Sequence, residues 1–159
     1  MINKELTPPK AVIEGLQARL GEGFLAAEEL AAAISPAAVS AAAEYLLQAG
    51  YEFLADITAV DYQQQGCFRL LYQIGNYQNG DIITLTVDVP REQPQVASLA
   101  GVWRSADWLE REVYDMFGIE FLGHPNLRRI LMWEGYEGWP LRKDFQQKPN
   151  QYQGRRRLD

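Results

Sequence analysis

The sequence predicts an α+β fold: an antiparallel sheet meander packed with two helices on one face, then a further helix and an extended irregular C-terminal arm. Three consecutive segments alternate apolar and polar residues and are joined by short polar reversals. Two earlier stretches carry apolar residues at helical spacing. Beyond Gly118, glycine, proline and aromatic residues interleave too closely for long regular elements. At 159 residues and 47% hydrophobic, the chain has the size of one domain with a real core. Residues 1–122 are expected to form the α+β body, and 123–159 a loop and tail of that same domain.

From Thr7 to Leu20, the residues Val12, Leu16 and Leu20 recur at helical spacing, with Pro8 and Pro9 marking the start and Gly21 the stop. Phe24 to Ile34 reads two ways, since its alanines favour helix while its length suits a sheet; the end of it leans to strand. A second helix is expected from Ser35 as N-cap and Pro36 at its first position to just before Gly50. Its apolar stripe is Val39, Ala43, Leu46 and Leu47. In the first strand, Phe53, Ala55, Ile57 and Ala59 alternate against Leu54, Asp56, Thr58 and Val60. Phe68, Leu70, Tyr72 and Ile74 then alternate in the second, and Ile83, Leu85, Val87 and Val89 in the third. Asn79-Gly80 is a strong reversal signal between the last two.

A third helix is expected over Asp107 to Phe117, with Asp107 capping it and Glu110 reaching back in a capping box. Leu109, Val113, Met116 and Phe117 share one face, and Gly118 supplies a left-handed stop. Arg111 and Asp115, four apart, are expected as an exposed pair on the opposite side. Glu112 borders the apolar stripe and invites a cation from Arg128, Arg129 or Arg142. Phe121, Trp133, Tyr136 and Trp139 lie in irregular backbone and need a surface to pack on, supplied by the domain or by a second protein. The ending QQKPNQYQGRRRLD has almost no apolar content and reads as an extended arm, disordered on its own.

Composition removes several function classes. No window approaches the roughly 18 uninterrupted apolar residues of a membrane helix, and MINKELTPPK lacks an apolar signal core, which points to the cytoplasm. One cysteine, Cys67, and one histidine, His124, cannot build a disulfide framework, an iron-sulfur site or a Cys/His zinc site within the chain. Residues 1–123 hold seven Lys and Arg against seventeen Asp and Glu, whereas 124–159 hold eight against four. That acidic body and basic end favour an acidic partner; Arg155, Arg156 and Arg157 are the feature a nucleic acid would use, but no nucleic-acid partner is expected.

The stretch EREVYDMFGIEFLGHPNLRRILMWEGYEGWPLRKD concentrates side chains suited to acid-base chemistry, Glu110, Glu112, Asp115 and His124 among them, with Tyr114 beside them. It contains no nucleophile motif, phosphate-binding glycine loop or metal-spaced pair. His124, followed by Pro125, reads as a structural hydrogen-bonding residue before a catalytic one. Trp103 and Trp108 read as packing residues before cofactor-stacking ones. A free-standing acid-base enzyme using Glu112 and His124 is the rival from a different class.

The run WLEREVYDMFGIEFLGHPNLRRILM, Trp108 to Met132, followed by GWPLRKDF, Gly138 to Phe145, resembles the signature of the 30-kDa subunit of respiratory complex I, known as the C subunit in bacteria and the J subunit in plastids and cyanobacteria. The preceding portion, including LADITAVDY, is similar in order and length. Two departures stand out: Trp133-Glu134-Gly135 replaces the family's usual proline and acidic pair, and QYQGRRRLD differs from the YELQD-like end of the photosynthetic relatives.

The resemblance implies a subunit, without catalysis of its own, of a proton-translocating NADH:quinone oxidoreductase. It implies a place in the peripheral arm, on the cytoplasmic side of the bacterial plasma membrane, against the 49-kDa protein near the quinone site. NADH, FMN, iron-sulfur clusters and quinone would be held by or between partner subunits and none by this chain. An equivalent subunit of a membrane-bound energy-converting hydrogenase is the close alternative. By the same resemblance, the signature and interface residues are Glu110, Arg111, Glu112, Asp115, Phe117, Gly118, Gly123, His124, Pro125, Leu127, Arg128, Arg129, Gly138, Pro140, Leu141, Arg142, Lys143 and Asp144.

Overall fold

The computed structural model describes residues 8–133 and 135–147. Helix α1 spans Pro9–Leu20 and buries Val12, Ile13 and Leu16. The undecided segment resolves into a hairpin, β1 (Phe24–Glu28) and β2 (Ala31–Ile34), turning at Glu29 in the positive-φ region. Ser35 and Pro36 open a short 3-10 turn, Pro36–Ala38, before α2 proper begins at Val39 and runs to Gln48. The Ser35 side chain makes no capping hydrogen bond. Helix α2 buries Val39, Ala42, Ala43 and Leu46, while Leu47, expected on the stripe, is exposed. Leu46 and Leu47 stand about 100° apart around a helix, so one stripe of this width does not hold both.

Strands β3 (Phe53–Tyr62), β4 (Cys67–Gly75) and β5 (Ile82–Pro90) form the expected antiparallel meander. The full sheet has the order β1-β2-β5-β4-β3, and β2 joins β5 in parallel. Residues Phe68, Leu70, Tyr72, Ile74, Ile83, Leu85, Val87 and Val89 form the buried face, which packs with the helices into one core. Alternation in β3 fails at its start, because the ladder slips a residue between Leu54 and Asp56. Leu54 and Ile57 therefore share the buried side. Phe53 is left on the other side, stacked on Tyr77 at a centroid distance of 4.2 Å and covering Gly75, where a Cβ would strike its ring.

After β5 the chain forms β6 (Gln95–Ala97), helix α3 (Ala106–Phe117) and β7 (Glu120–Leu122). Strands β6 and β7 pair in parallel as a small separate ribbon. Val96 and Phe121, its buried pair, join the same core as Val113, Met116 and Phe117 of α3. Gly118 ends α3 at φ 71°, in the left-handed conformation expected of it. The expectation for the final arm falls mostly outside the described residues.

Candidate partner-binding surface

Helix α3 is the frame of the region, and its start differs from the expected capping box. Ser105 occupies the cap position, yet its hydroxyl donates to the Leu54 carbonyl at 2.8 Å, tying the helix to β3. Glu110 does not reach back along the helix. Its carboxylate is fully buried and accepts hydrogen bonds from the Ser98 hydroxyl and the Leu99 amide, both at 2.5 Å. Burial pushes the Glu110 carboxyl up to about 7; the two hydrogen bonds pull it down less strongly, and the Asp107 charge adds to the rise. A capping side chain stays at the solvent-facing helix end, whereas position 110 faces the segment between β6 and α3.

The His124 side chain is wholly buried beside this carboxylate. Its Nδ1 accepts the Asn126 amide at 2.9 Å, which places the ring proton on Nε2, donating to the Asp107 carbonyl at 3.1 Å. Nε2 also lies 3.5 Å from Asp107 Oδ1 and 4.0 Å from Glu110 Oε2. Both ring nitrogens are engaged in holding the turn after β7 onto α3. Glu112 is exposed, without a hydrogen bond or ion pair among the described residues, so neither a Glu112–His124 couple nor a bond from Glu112 to Arg128, Arg129 or Arg142 forms.

Arg111 and Asp115 are buried, contrary to the exposed pair expected of them, and they do not bond each other. Both face the chain returning after His124. Arg111 Nε donates to the Arg128 carbonyl at 3.1 Å, and its Nη1 lies 4.0 Å from Asp107 Oδ1. Asp115 Oδ2 accepts three successive amides, Ile130, Leu131 and Met132, at 3.0, 2.7 and 2.9 Å. Its Oδ1 accepts Arg129 Nη1 at 3.0 Å. A buried carboxylate offsets its desolvation only through such a full set of donors.

The other end of α3 is closed by the same returning chain. The carbonyls of Met116 and Phe117, without partners inside the helix, accept the Leu141 amide at 3.1 Å and Arg142 Nε at 2.6 Å. Arg129 Nη2 donates to the Gly138 carbonyl at 2.7 Å, with its guanidinium 4.3 Å from the Trp139 ring centre. The Trp139 ring occupies the space a side chain at Gly118 would need, and Phe145 does the same at Gly138, whose φ is 90°. Tyr136 is buried between Trp133 and Phe145.

A second clasp joins Lys143 and Asp144 of the signature to Asp61 and Arg91 of the body, two residues the sequence did not single out. Asp61, buried at the end of β3, accepts Arg91 Nε and Nη2 at 2.8 and 3.0 Å and the Lys143 amide at 2.9 Å. Arg91 Nη2 also reaches Asp144 at 2.9 Å, holding that carboxyl below its usual range. The signal was present, since Asp61 continues the inward register of Ile57 and Ala59, where an unpaired charge is costly.

The signature residues thus divide. Asp115, Phe117, His124, Arg129 and Arg142 are engaged in holding residues 124–145 to α3, and Glu110 instead fastens the Ser98–Leu99 segment; Gly118, Gly123 and Gly138 each adopt a positive φ. Pro125, Arg128, Leu141 and the side chain of Lys143 remain at the surface, Leu127 half-buried and Pro140 partly so. Among the described residues, no cluster of His, Cys, Asp and Glu is placed to hold a metal ion, and no helix is long and apolar enough to cross a membrane.

The sequence profile of the family described as respiratory-chain NADH dehydrogenase, 30 Kd subunit, matches residues 32–151. Over 141 residues the chain is 39% identical to the C subunit of NADH-quinone oxidoreductase of Roseiflexus sp. (strain RS-1), covering 84% of this chain and 81% of the relative. Other curated relatives of the same description, from Rhizobium and Geobacter among others, are 44–47% identical over 96–97 residues, and the chain spans only about half to three fifths of their length. Among solved structures, a trypsin-resistant fragment (1–134) of Nqo5 superimposes with a TM-score of 0.59 at 30% identity, over 74% of this chain and 98% of the fragment. A chain of the membrane-bound sulfane sulfur reductase, an archaeal respiratory membrane complex, superimposes with a TM-score of 0.74 over 94% of this chain and 92% of its own length; at 18% identity that likeness shows the fold alone. With the profile spanning most of the sheet and all of the clasped segment, the chain belongs to the 30 Kd subunit family of the respiratory-chain NADH dehydrogenase.

Proposed function

We propose that the chain is a structural subunit, without catalysis of its own, in the peripheral arm of a proton-translocating NADH:quinone oxidoreductase. It docks against the 49-kDa subunit near the quinone site, on the cytoplasmic side of the membrane, and NADH, FMN, iron-sulfur clusters and quinone are handled by its partners. The observation that carries this reading is the fate of the reactive-looking residues. Glu110, Asp115 and His124 each have their hydrogen-bonding capacity taken up by backbone or side-chain groups of the chain itself. A general acid or base must present a free position to substrate, and these three present a rigid frame.

Affinity purification of the tagged chain from native membranes tests the proposal. Recovery together with a 49-kDa-type subunit and NADH-oxidising activity is the expected result. Recovery with a nickel hydrogenase pair would replace the assembly by an energy-converting hydrogenase. An isolated chain that turns over a substrate, and loses that turnover in His124→Ala, would overturn the structural role altogether.

A further inference from the structure

Once the internally bonded residues are set aside, one part of the signature surface remains uncommitted. The outward side of α3 and the returning chain at 127–130, Met132 and Gly135 enclose a groove of about 640 Å³. Trp108, Arg111, Tyr114, Arg128 and Met132 are among its walls. Trp108 is 63% exposed, and Arg111 lies over its ring at 4.9 Å, which orients the indole. Arg128 is held by its carbonyl, which accepts Arg111 Nε, while its guanidinium is exposed and has no hydrogen bond or ion pair among the described residues. Leu131, between the lining residues Ile130 and Met132 and with its amide fixed by Asp115, is 55% exposed.

Three guanidiniums, Arg111, Arg128 and Arg129, line the groove, and among the described residues no carboxylate does. Asp115, behind it, is already saturated by Arg129 and three amides. Arg129 is paired with Asp115, and Arg111 lies 4.0 Å from Asp107, so among the described residues Arg128 is the groove's cation without a counter-charge, in a chain of net charge −6. Trp, Tyr, Arg and Met are also the residue types that concentrate binding energy when a protein surface becomes buried. We propose that the groove seats a segment of a neighbouring subunit that brings a carboxylate to Arg128 and an apolar side chain against Trp108 and Met132. This rests on the subunit reading above. A guanidinium fixed at its backbone but free at its head matches a carboxylate in two-pronged geometry, which a lysine ammonium does not reproduce. The apolar walls Trp108, Leu127, Ile130 and Met132 suit a peptide or protein segment rather than a small anion.

The test uses the assembled membrane complex. Arg128→Glu and Trp108→Ala alter exposed side chains, so both variants should melt with the wild-type chain, yet each should lower the amount retained in the complex about tenfold. Arg128→Lys should retain an intermediate amount. A photoreactive phenylalanine analogue at position 131 should cross-link to a partner peptide carrying Asp or Glu within a few residues. Wild-type retention in both variants, or a cross-link to a second copy of this chain or to lipid, overturns the groove as a docking seat while leaving the subunit reading intact. A wild-type chain that co-purifies with no respiratory subunit overturns both.

Discussion

Glu110 and Asp115 are two buried carboxylates on one helix with opposite electrostatic treatments. Glu110 has two neutral donors, and burial holds its carboxyl up near 7. The folded state therefore binds this proton more tightly than the unfolded chain does. The resulting stabilisation is complete below the ordinary carboxyl value near 4.5 and is lost as pH rises through 7. Glu110→Gln removes the titration, so denaturant unfolding at pH 5 and pH 8 should show the variant gaining roughly 2 to 3 kcal/mol on wild type between the two. A pH-independent difference would mean the carboxylate is paired more strongly than its contacts indicate. Asp115 has a guanidinium and three amides, and Asp115→Asn turns one acceptor into a donor facing those amides. The expected cost is about 3 kcal/mol, read from the shift of the unfolding midpoint.

At the scale of elements, the joint between α3 and the returning chain is the sensitive one. Arg142 closes the Phe117 carbonyl and packs over Phe68 at 5.0 Å. Arg142→Ala should leave the far-ultraviolet circular dichroism of the sheet and helices unchanged, expose 138–147 to trypsin at Lys143, and reduce incorporation into the complex. Uncut chain that assembles normally would show that the Leu141 and Lys143 amides suffice. Gly118→Ala meets two obstacles, φ of 71° and the Trp139 ring, and should cost at least about 1 to 2 kcal/mol in thermal unfolding. Local periodicity made the meander, the first and third helices and the Gly118 stop legible. It could not reveal the slip at Leu54, since an extra residue in a strand looks like continued alternation until the partner strand is known. Nor could it place β2 beside β5, a pairing between segments far apart along the chain. The capping box failed for a different reason: Ser98, which competes for Glu110, lies in another segment.

For the molecule as a whole, the returning chain belongs to the same cooperative unit as the sheet, despite its irregular backbone. Asp115 clasps it to α3, and Asp61 clasps it to β3. The amides of Ile130, Leu131 and Met132 should therefore exchange hydrogen at rates comparable to those of β4, the central antiparallel strand. Exchange at the rate of an open loop would make the segment a separate, weaker unit. The resemblance pointed to these residues as an interface; Arg111 and Asp115, expected at the surface, turn inward instead, because side-chain direction on a helix depends on what lies beside it. Trp108, read from the sequence as a packing residue, and Arg128, read both as a possible partner of Glu112 and as an interface residue, are among the groups that face outward.

The two clasps also differ in how far apart their ends lie along the chain. Asp115 receives amides 15 to 17 residues downstream, whereas Asp61 receives one 82 residues away. Closing the longer span carries the larger loop-closure cost and requires the meander in place, so the second fastening is expected to form after the first. Under the proposed subunit role, a newly made chain would complete its docking face only after its sheet.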